Sequence, residues 1–257
     1  MKIAVYTFIS GEYDTLKPFN EDYNKEADFY FFTDHPQTVE SGKYQTVIVP
    51  VNKDHERYTA RHYKALSHVL FPKYDYSIWM DGSVSLQASP RELVEKYLKD
   101  KDIAAFIYPD EDCIYIHADK CMAAGRFSVS SVIPQMEYYR SEGFPDHTGL
   151  CELRVVLRKN TGKVSLFNQL WLDIYKKWLT CDQLCFNYCL WKLGIKYNMI
   201  EWGSPEFKTG LHEQYKPHRY DYSIDGQLQH TETIGKSVEF IPEILRHPIY
   251  GRRWIGS

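Results

Sequence analysis

Asp81-Gly82-Ser83 closes the stretch Tyr74 to Leu86, YDYSIWMDGSVSL, and combines residue types suited to holding a cation or a ligand hydroxyl. Ser77, Ile78, Trp79 and Met80 read as a short buried strand. The Asp81 carboxylate therefore falls at a carboxyl end, where open α/β sheets bind ligands. Gly82 admits a close backbone approach, and Ser83 adds a hydroxyl. The same triplet also reads as a turn, since Asp-Gly is a hairpin signal. Just upstream, His55 to Leu70 reads as one helix, HERYTARHYKALSHVL. At 3.6 residues per turn, its Arg57, Arg61, Lys64 and His68 share a stripe ~60° wide. Such a stripe is often a solvated face. Beside a strand-end carboxylate it also suits a diphosphate, because Arg grips oxygens as a fork and Lys supplies a point charge.

The elements that must carry these residues alternate between strand and helix. Lys2–Ile9, Asp28–Thr33, Lys43–Pro50, Ile103–Tyr108, Leu150–Arg158 and Ile195–Glu201 read as the other strands. Ser89 caps a helix with Pro90 at its first position, running to about Lys99. Further helices are expected over Asp119–Gly125, Val129–Gly143, Val164–Trp178 and from Cys181-Asp182-Gln183 to Leu193. In Val164–Trp178 the core side is Leu166, Phe167, Leu170, Trp171, Ile174 and Trp178. Asp182 also reads as a helix-capping residue. Asp110 to His117 gathers three carboxylates and a His and reads as an exposed loop. This order implies a mixed α/β fold, with no G-x-G-x-x-G to support a dinucleotide site. Residues 1–203 form the α/β domain, and 204–257, rich in His and Tyr, form a lid or tail of that domain.

The net charge of −3 excludes a general attraction to nucleic acid. Aromatic residues reach 16%, suiting clefts that are part apolar and part wet, such as sugar sites, and protein interfaces too. No apolar run is long enough to span a bilayer, and MKIAVYTFIS reads as a first strand and not a leader. Cys181, Cys185 and Cys189 fall at i, i+4, i+8, and no C-x-x-C pair suggests zinc. The six Cys are expected as free thiols in a reducing cytoplasm, with Cys113–Cys121 the pair open to a disulfide.

The blocks KIAVYTFISGEYD, DFYFFTD, ARHYKALSHVLFPKYDYSIWMDGS, EGFPDHTGLCELRVVLRKN and CDQLCFNYCLWKLGI resemble the glycosyltransferase domain shared by plant mucilage and pectin-related transferases and bacterial proteins. The resemblance runs from Lys2 to Ile200. It implies a single Rossmann-like domain of the A-type glycosyltransferase fold with a mixed central sheet. It also implies transfer of a hexosyl or pentosyl group from a nucleotide sugar, UDP-linked by expectation, to a saccharide or lipid-linked glycan acceptor in polysaccharide or glycan synthesis. The family's Asp-x-Asp appears here as Asp81-Gly82-Ser83, so the second carboxylate is absent. Mn²⁺ or Mg²⁺ would then be held by Asp81, the donor diphosphate and His247. Arg57, Arg61, Lys64 and Arg252 would face the diphosphate, Ser83 would join Asp81, and Thr7 and Asp34 would face base and ribose. Asp182 and Glu152 are the candidate catalytic carboxylates, for a base on the acceptor hydroxyl or for orienting sugar hydroxyls.

The alternative reading is a catalytically silent nucleotide- or sugar-binding protein on the same fold. A nucleotidyltransferase is disfavoured, because no Gly-rich, Lys-containing loop follows strand one. Tyr250 to Trp254, aromatic and basic, is a candidate for peripheral membrane contact.

Overall fold

The apolar run IAVYTFI becomes β1 (Ile3–Ile9) and is buried at every position, because it has a sheet neighbour on each side and helices on each face. The computed structural model describes residues 1–51 and 56–209. The other strands of the main sheet are β2 (Asp28–Thr33), β3 (Tyr44–Ile48), β4 (Tyr76–Met80), β6 (Ile103–Ile107), β7 (Cys151–Lys159) and β8 (Tyr197–Ile200), with β5 (Val84–Leu86) and β9 (Phe207–Thr209) apart. The seven-stranded order is β3-β2-β1-β4-β7-β6-β8. Strands β1 to β4 pair parallel, β7 runs antiparallel to both β4 and β6, and β8 is parallel to β6. This is a mixed, Rossmann-like α/β sheet, as expected.

The chain steps outward from β1 to β2 and β3, then returns to place β4 on the other side of β1. That reversal lies between β1 and β4, and the carboxyl ends of strands at such a switch point are where these sheets take ligands. Asp81 directly follows β4 there.

Seven α-helices lie among the described residues: α1 (Glu56–Ala65), α2 (Ser67–Leu70), α3 (Pro90–Tyr97), α4 (Ile114–Ala123), α5 (Val129–Ser141), α6 (Gly162–Trp178) and α7 (Gln183–Lys192). One apolar core joins Tyr6, Trp79 and Val156 to residues of α4 to α7, a second joins Val5, Ile78 and Leu157 to Leu93 and Val94 of α3, and a small third cluster holds Ile9, Leu16 and Phe31. The alternation of side chains along each strand divides most of them between the two larger cores. Ser89 and Glu92 complete a reciprocal capping box at α3, with Pro90 at its start.

Three expectations need correction. The helix expected over His55–Leu70 breaks at Leu66, whose φ of −90° and ψ of 41° are not helical. The carbonyls of Lys64 and Ala65 accept instead from the Arg158 guanidinium. Leu166, placed on the core side of its helix, is 65% exposed, because the buried stripe of α6 runs through Val164, Phe167, Trp171 and Tyr175 and Leu166 is rotated about 100° from Phe167. Asp110–His117 is not an exposed loop: α4 begins at Ile114, and His117 is buried within it. The short β5 and β9 were not foreseen; they pair antiparallel and bring the chain at 207–209 back beside the Asp81 turn. The remainder of the segment expected as a lid, 210–257, lies outside the described residues. No described helix is long and apolar enough to cross a membrane.

Candidate functional site

Asp81 is fixed from two directions. Its backbone N–H donates to the Arg154 carbonyl at 2.8 Å, and its Oδ1 accepts from the Trp79 indole N–H at 2.6 Å. Trp79 is buried against Tyr6, whose ring meets it edge-on at 5.2 Å. Such pairs contribute about 0.5–1.5 kcal/mol beyond their area, which holds the indole in place. The Val84 N–H donates to the Asp81 carbonyl at 3.0 Å, so Asp81-Gly82-Ser83 is a turn and also a strand-end carboxylate. Ser83 is half-buried in that turn. A Cβ at Gly82 would lie 2.8 Å from Ile9 Cδ1 and 3.2 Å from Asp14 Cβ. The missing side chain therefore admits the end of β1 and the loop behind it.

Asp182 stands one residue before α7 but does not cap it through its side chain. The carboxylate turns to α1, with Oδ2 3.1 Å from Arg61 Nε and 3.0 Å from Lys64 Nζ. The turn that carries it is built under constraint. Leu179 ends α6 with φ at +52°, costly for a branched residue, and the buried Thr180 hydroxyl donates to Gln135 Oε1 at 2.6 Å. Lys64 also reaches Asp81 Oδ1, at 3.3 Å. Burial pushes the Asp182 carboxyl up, but the charges of Arg61 and Lys64 outweigh it and hold it at about 2. Asp182 is therefore a permanent anion and a weak base. Arg61 Nε and Asp182 Oδ2, though ion-paired, are buried without a hydrogen bond among the described residues.

Glu152 is of the opposite kind. It is buried on β7 where the register with β6 shifts between Ala105 and Phe106. Its Oε1 accepts from Arg154 Nε at 2.9 Å and its Oε2 from the Arg154 backbone N–H at 3.1 Å. Burial pushes its pKa up, against the opposing charge of Arg154, and the negative charge of Asp81 pushes the same way. The two candidate carboxylates thus differ in what they can do: Asp182 organises cations, and Glu152, its pKa raised, is the better proton acceptor of the two.

The structure brings together Arg61, Lys64, Asp81 and Asp182, with Glu152 close enough to feel both Asp81 and Lys64. The expected basic stripe is not one open face: Lys64 is 2% exposed and already paired, and His68 lies beyond the break at Leu66, its Nδ1 3.3 Å from Asn168. Arg57 lies in α1, its side chain outside the described set. Thr7 is buried on β1, its hydroxyl without a hydrogen bond among the described residues. Asp34, past the end of β2, accepts from the Gly11 N–H at 2.7 Å and ties the loops after β1 and β2 together. His247 and Arg252 lie outside the described residues.

Sequence reasoning missed Arg158. Wholly buried on β7, it donates to the carbonyls of Lys64 and Ala65, to Asn168 and to the Tyr6 hydroxyl. It holds the carboxyl end of α1, and with it Lys64, over the sheet. Its signal was a cation inside the apolar strand LCELRVVLR, where a charge must find partners.

The residues around Asp81 can be compared with what Mn²⁺ or Mg²⁺ requires. These ions take several oxygen donors. Asp81 Oδ1 already accepts from Trp79 and faces the Lys64 ammonium, and no group of three His, Cys, Asp or Glu ligands among the described residues includes it. Mg²⁺ is commonly held by one or two carboxylates together with substrate phosphates, so Asp81 would be the described contribution to such a site, and His247 lies outside the described residues.

A mixed sheet with this reversal, bearing a cation-linked carboxylate pair at its carboxyl edge, defines a Rossmann-like α/β protein with charged groups at its ligand-binding edge. Residues 2–209 match the family described as TOD1/MUCI70, glycosyltransferase-like domain, and the chain belongs to that family. It is also similar to the protein from Arabidopsis thaliana named "Probable hexosyltransferase MUCI70", 29% identical over 146 residues. That alignment covers 52% of this chain and 25% of the relative, so the chain corresponds to a fraction of that protein's length.

Proposed function

We propose that this chain is a glycosyltransferase that moves a hexosyl group from a nucleotide sugar, UDP-linked, to a saccharide acceptor. The observation that carries it is the junction of Asp81, Lys64, Asp182 and Arg61 beside the strand reversal, in a chain of a glycosyltransferase-like family. The hexosyl group is supported by the name of the plant relative.

In this reading the donor lies over the carboxyl ends of β1 and β4. Asp81, whose side chain is 34% exposed, accepts from donor hydroxyls. Arg61, 29% exposed and joined to Asp182 through Nε, faces the diphosphate with its other N–H groups. Lys64 adds a fixed positive field from beneath. As the bond from the anomeric carbon to the phosphate oxygen breaks, the electron pair leaves with the diphosphate, and these cations stabilise the charge that develops there. The acceptor oxygen forms the new bond to that carbon and gives its proton to Glu152. Holding Asp182 ionised keeps both cations in place throughout. The acceptor as a glycan chain, free or lipid-linked, and a cytoplasmic location belong to the same proposal.

The test is nucleotide release from UDP-hexoses by the full chain, with and without oligosaccharide acceptors, at several Mn²⁺ and Mg²⁺ concentrations. Acceptor-dependent release supports transfer. Binding of UDP without release under any condition supports the silent binding protein instead.

A further inference from the structure

We propose that His117, Cys121 and Cys181 form a binding site for one thiophilic divalent cation, zinc being the ion of that chemistry, separate from the Asp81 junction. One ligand atom from each of the three lies within 4.8 Å of the other two. His117 and Cys121 are four residues apart on α4, which puts them on one face of that helix. Cys181 comes from the turn before α7. A tetrahedral zinc with Zn–S of about 2.3 Å and Zn–N of about 2.0 Å needs ligand atoms roughly 3.3–3.8 Å apart. The site therefore closes on an ion by side-chain adjustments of about 1 Å.

His117 is prepared as a metal ligand. Its Nδ1 is 2.7 Å from Glu111 Oε2, and the other oxygen of Glu111 accepts from Lys120 at 2.7 Å. A carboxylate on one ring nitrogen fixes the ring and leaves the other nitrogen for an ion. The Tyr108 ring packs edge-on against the imidazole with centroids 4.7 Å apart and limits its rotation. On binding, the two thiols release two protons to solvent and two sulfur–metal bonds form. Two thiolates balance the dication, so no net charge is buried. All three ligand atoms lie in a buried setting, with the Cys181 residue as a whole partly exposed. The clip would join α4 to the residue adjoining Asp182.

The test is anaerobic titration of the reduced full chain with Co²⁺, followed by displacement with Zn²⁺. The expected result is one equivalent bound, with the visible bands and thiolate charge-transfer absorption of tetrahedral sulfur and nitrogen ligation, and a melting temperature raised by Zn²⁺ and returned by chelator. Cys181→Ser, at the partly exposed position, should abolish the charge-transfer band with the far-ultraviolet circular dichroism unchanged. Glu111→Gln should weaken binding about 10- to 100-fold, while Cys113→Ser should leave it intact. Absence of stoichiometric binding, a spectrum unaffected by Cys181→Ser, or Cys121 and Cys181 recovered as a disulfide that excludes the ion would each overturn the site.

Discussion

Lys64 Nζ lies 3.0 Å from Asp182 Oδ2 and 3.3 Å from Asp81 Oδ1. One ammonium on α1 thus joins a carboxylate before α7 to another at the end of β4. A buried lysine is costly without partners. Here two carboxylates and the Trp79 ring, 5.6 Å from Nζ, offset that cost. The junction thereby ties α1, the residue before α7 and the end of β4 to one another.

Breaking that junction should be felt in stability. Removing one member of a buried ion pair costs about 3–5 kcal/mol, and Asp182→Asn belongs at the lower end because Lys64 keeps Asp81. In urea unfolding, Lys64→Met combined with Asp182→Asn should cost clearly less than the two single changes added together. Strict additivity would show that the two side chains are not coupled.

The acid side of the stability curve carries a second signature. With Asp182 at about 2 in the fold and 3.8 as its ordinary value, the folded state binds the proton less readily than the unfolded chain. Its contribution is full above the ordinary carboxylate range and is lost as pH falls through 3.8 toward 2. The loss is on the order of 2 kcal/mol. Thermal melts of the wild type and Asp182→Asn should therefore converge as the solution is acidified; a constant gap would contradict this.

Glu152 should appear in the pH–rate profile. Because burial raises its pKa, the acidic limb of kcat/KM should lie above the ordinary glutamate range, with activity lost as pH falls below it. Glu152→Gln should remove that limb and lower kcat about 10²- to 10⁴-fold, while the UDP affinity changes little. Retention of the limb in the variant would assign the base elsewhere.

Gly82 should be sensitive for a steric reason. An added methyl meets Ile9 Cδ1 at 2.8 Å, and overpacking of this kind costs about 1–3 kcal/mol. Ile9 Cγ1 is equally close, at 2.8 Å, so Ile9→Ala, which removes both atoms, should recover part of the loss of Gly82→Ala in thermal melts when compared with Ile9→Ala alone. No recovery would place the strain in the backbone.

The seven strands of the main sheet were legible in the sequence, because short apolar runs ended by Pro, Gly or Asp stand out once helices of different period lie between them; the three-residue β5 and β9 were too short to show such a run. DFYFFT became β2 residue for residue, and Ser89-Pro90 set the start of α3. Asp81 at a strand end was readable for the same reason. What periodicity could not show was where the side chains of one element find partners on another. Arg61 and Lys64 read as a surface stripe because Asp182 is remote in sequence, and His117 read as part of a loop because Glu111 and Cys181 meet it only in three dimensions. Arg158 sits where the pattern asks for an apolar side chain, so its role at the end of α1 is visible only with the tertiary contacts in hand.

The central claim is that a nucleotide sugar binds at Asp81. Isothermal titration of UDP and UDP-hexoses into the wild type and Asp81→Ala tests it most directly. Asp81 is partly exposed and Lys64 keeps Asp182, so the variant should melt within a few degrees of the wild type. The account predicts saturable binding to the wild type and at least a tenfold weaker UDP-hexose affinity in the variant, roughly 1.4 kcal/mol. Equal affinity in both proteins, with the fold intact, would contradict it.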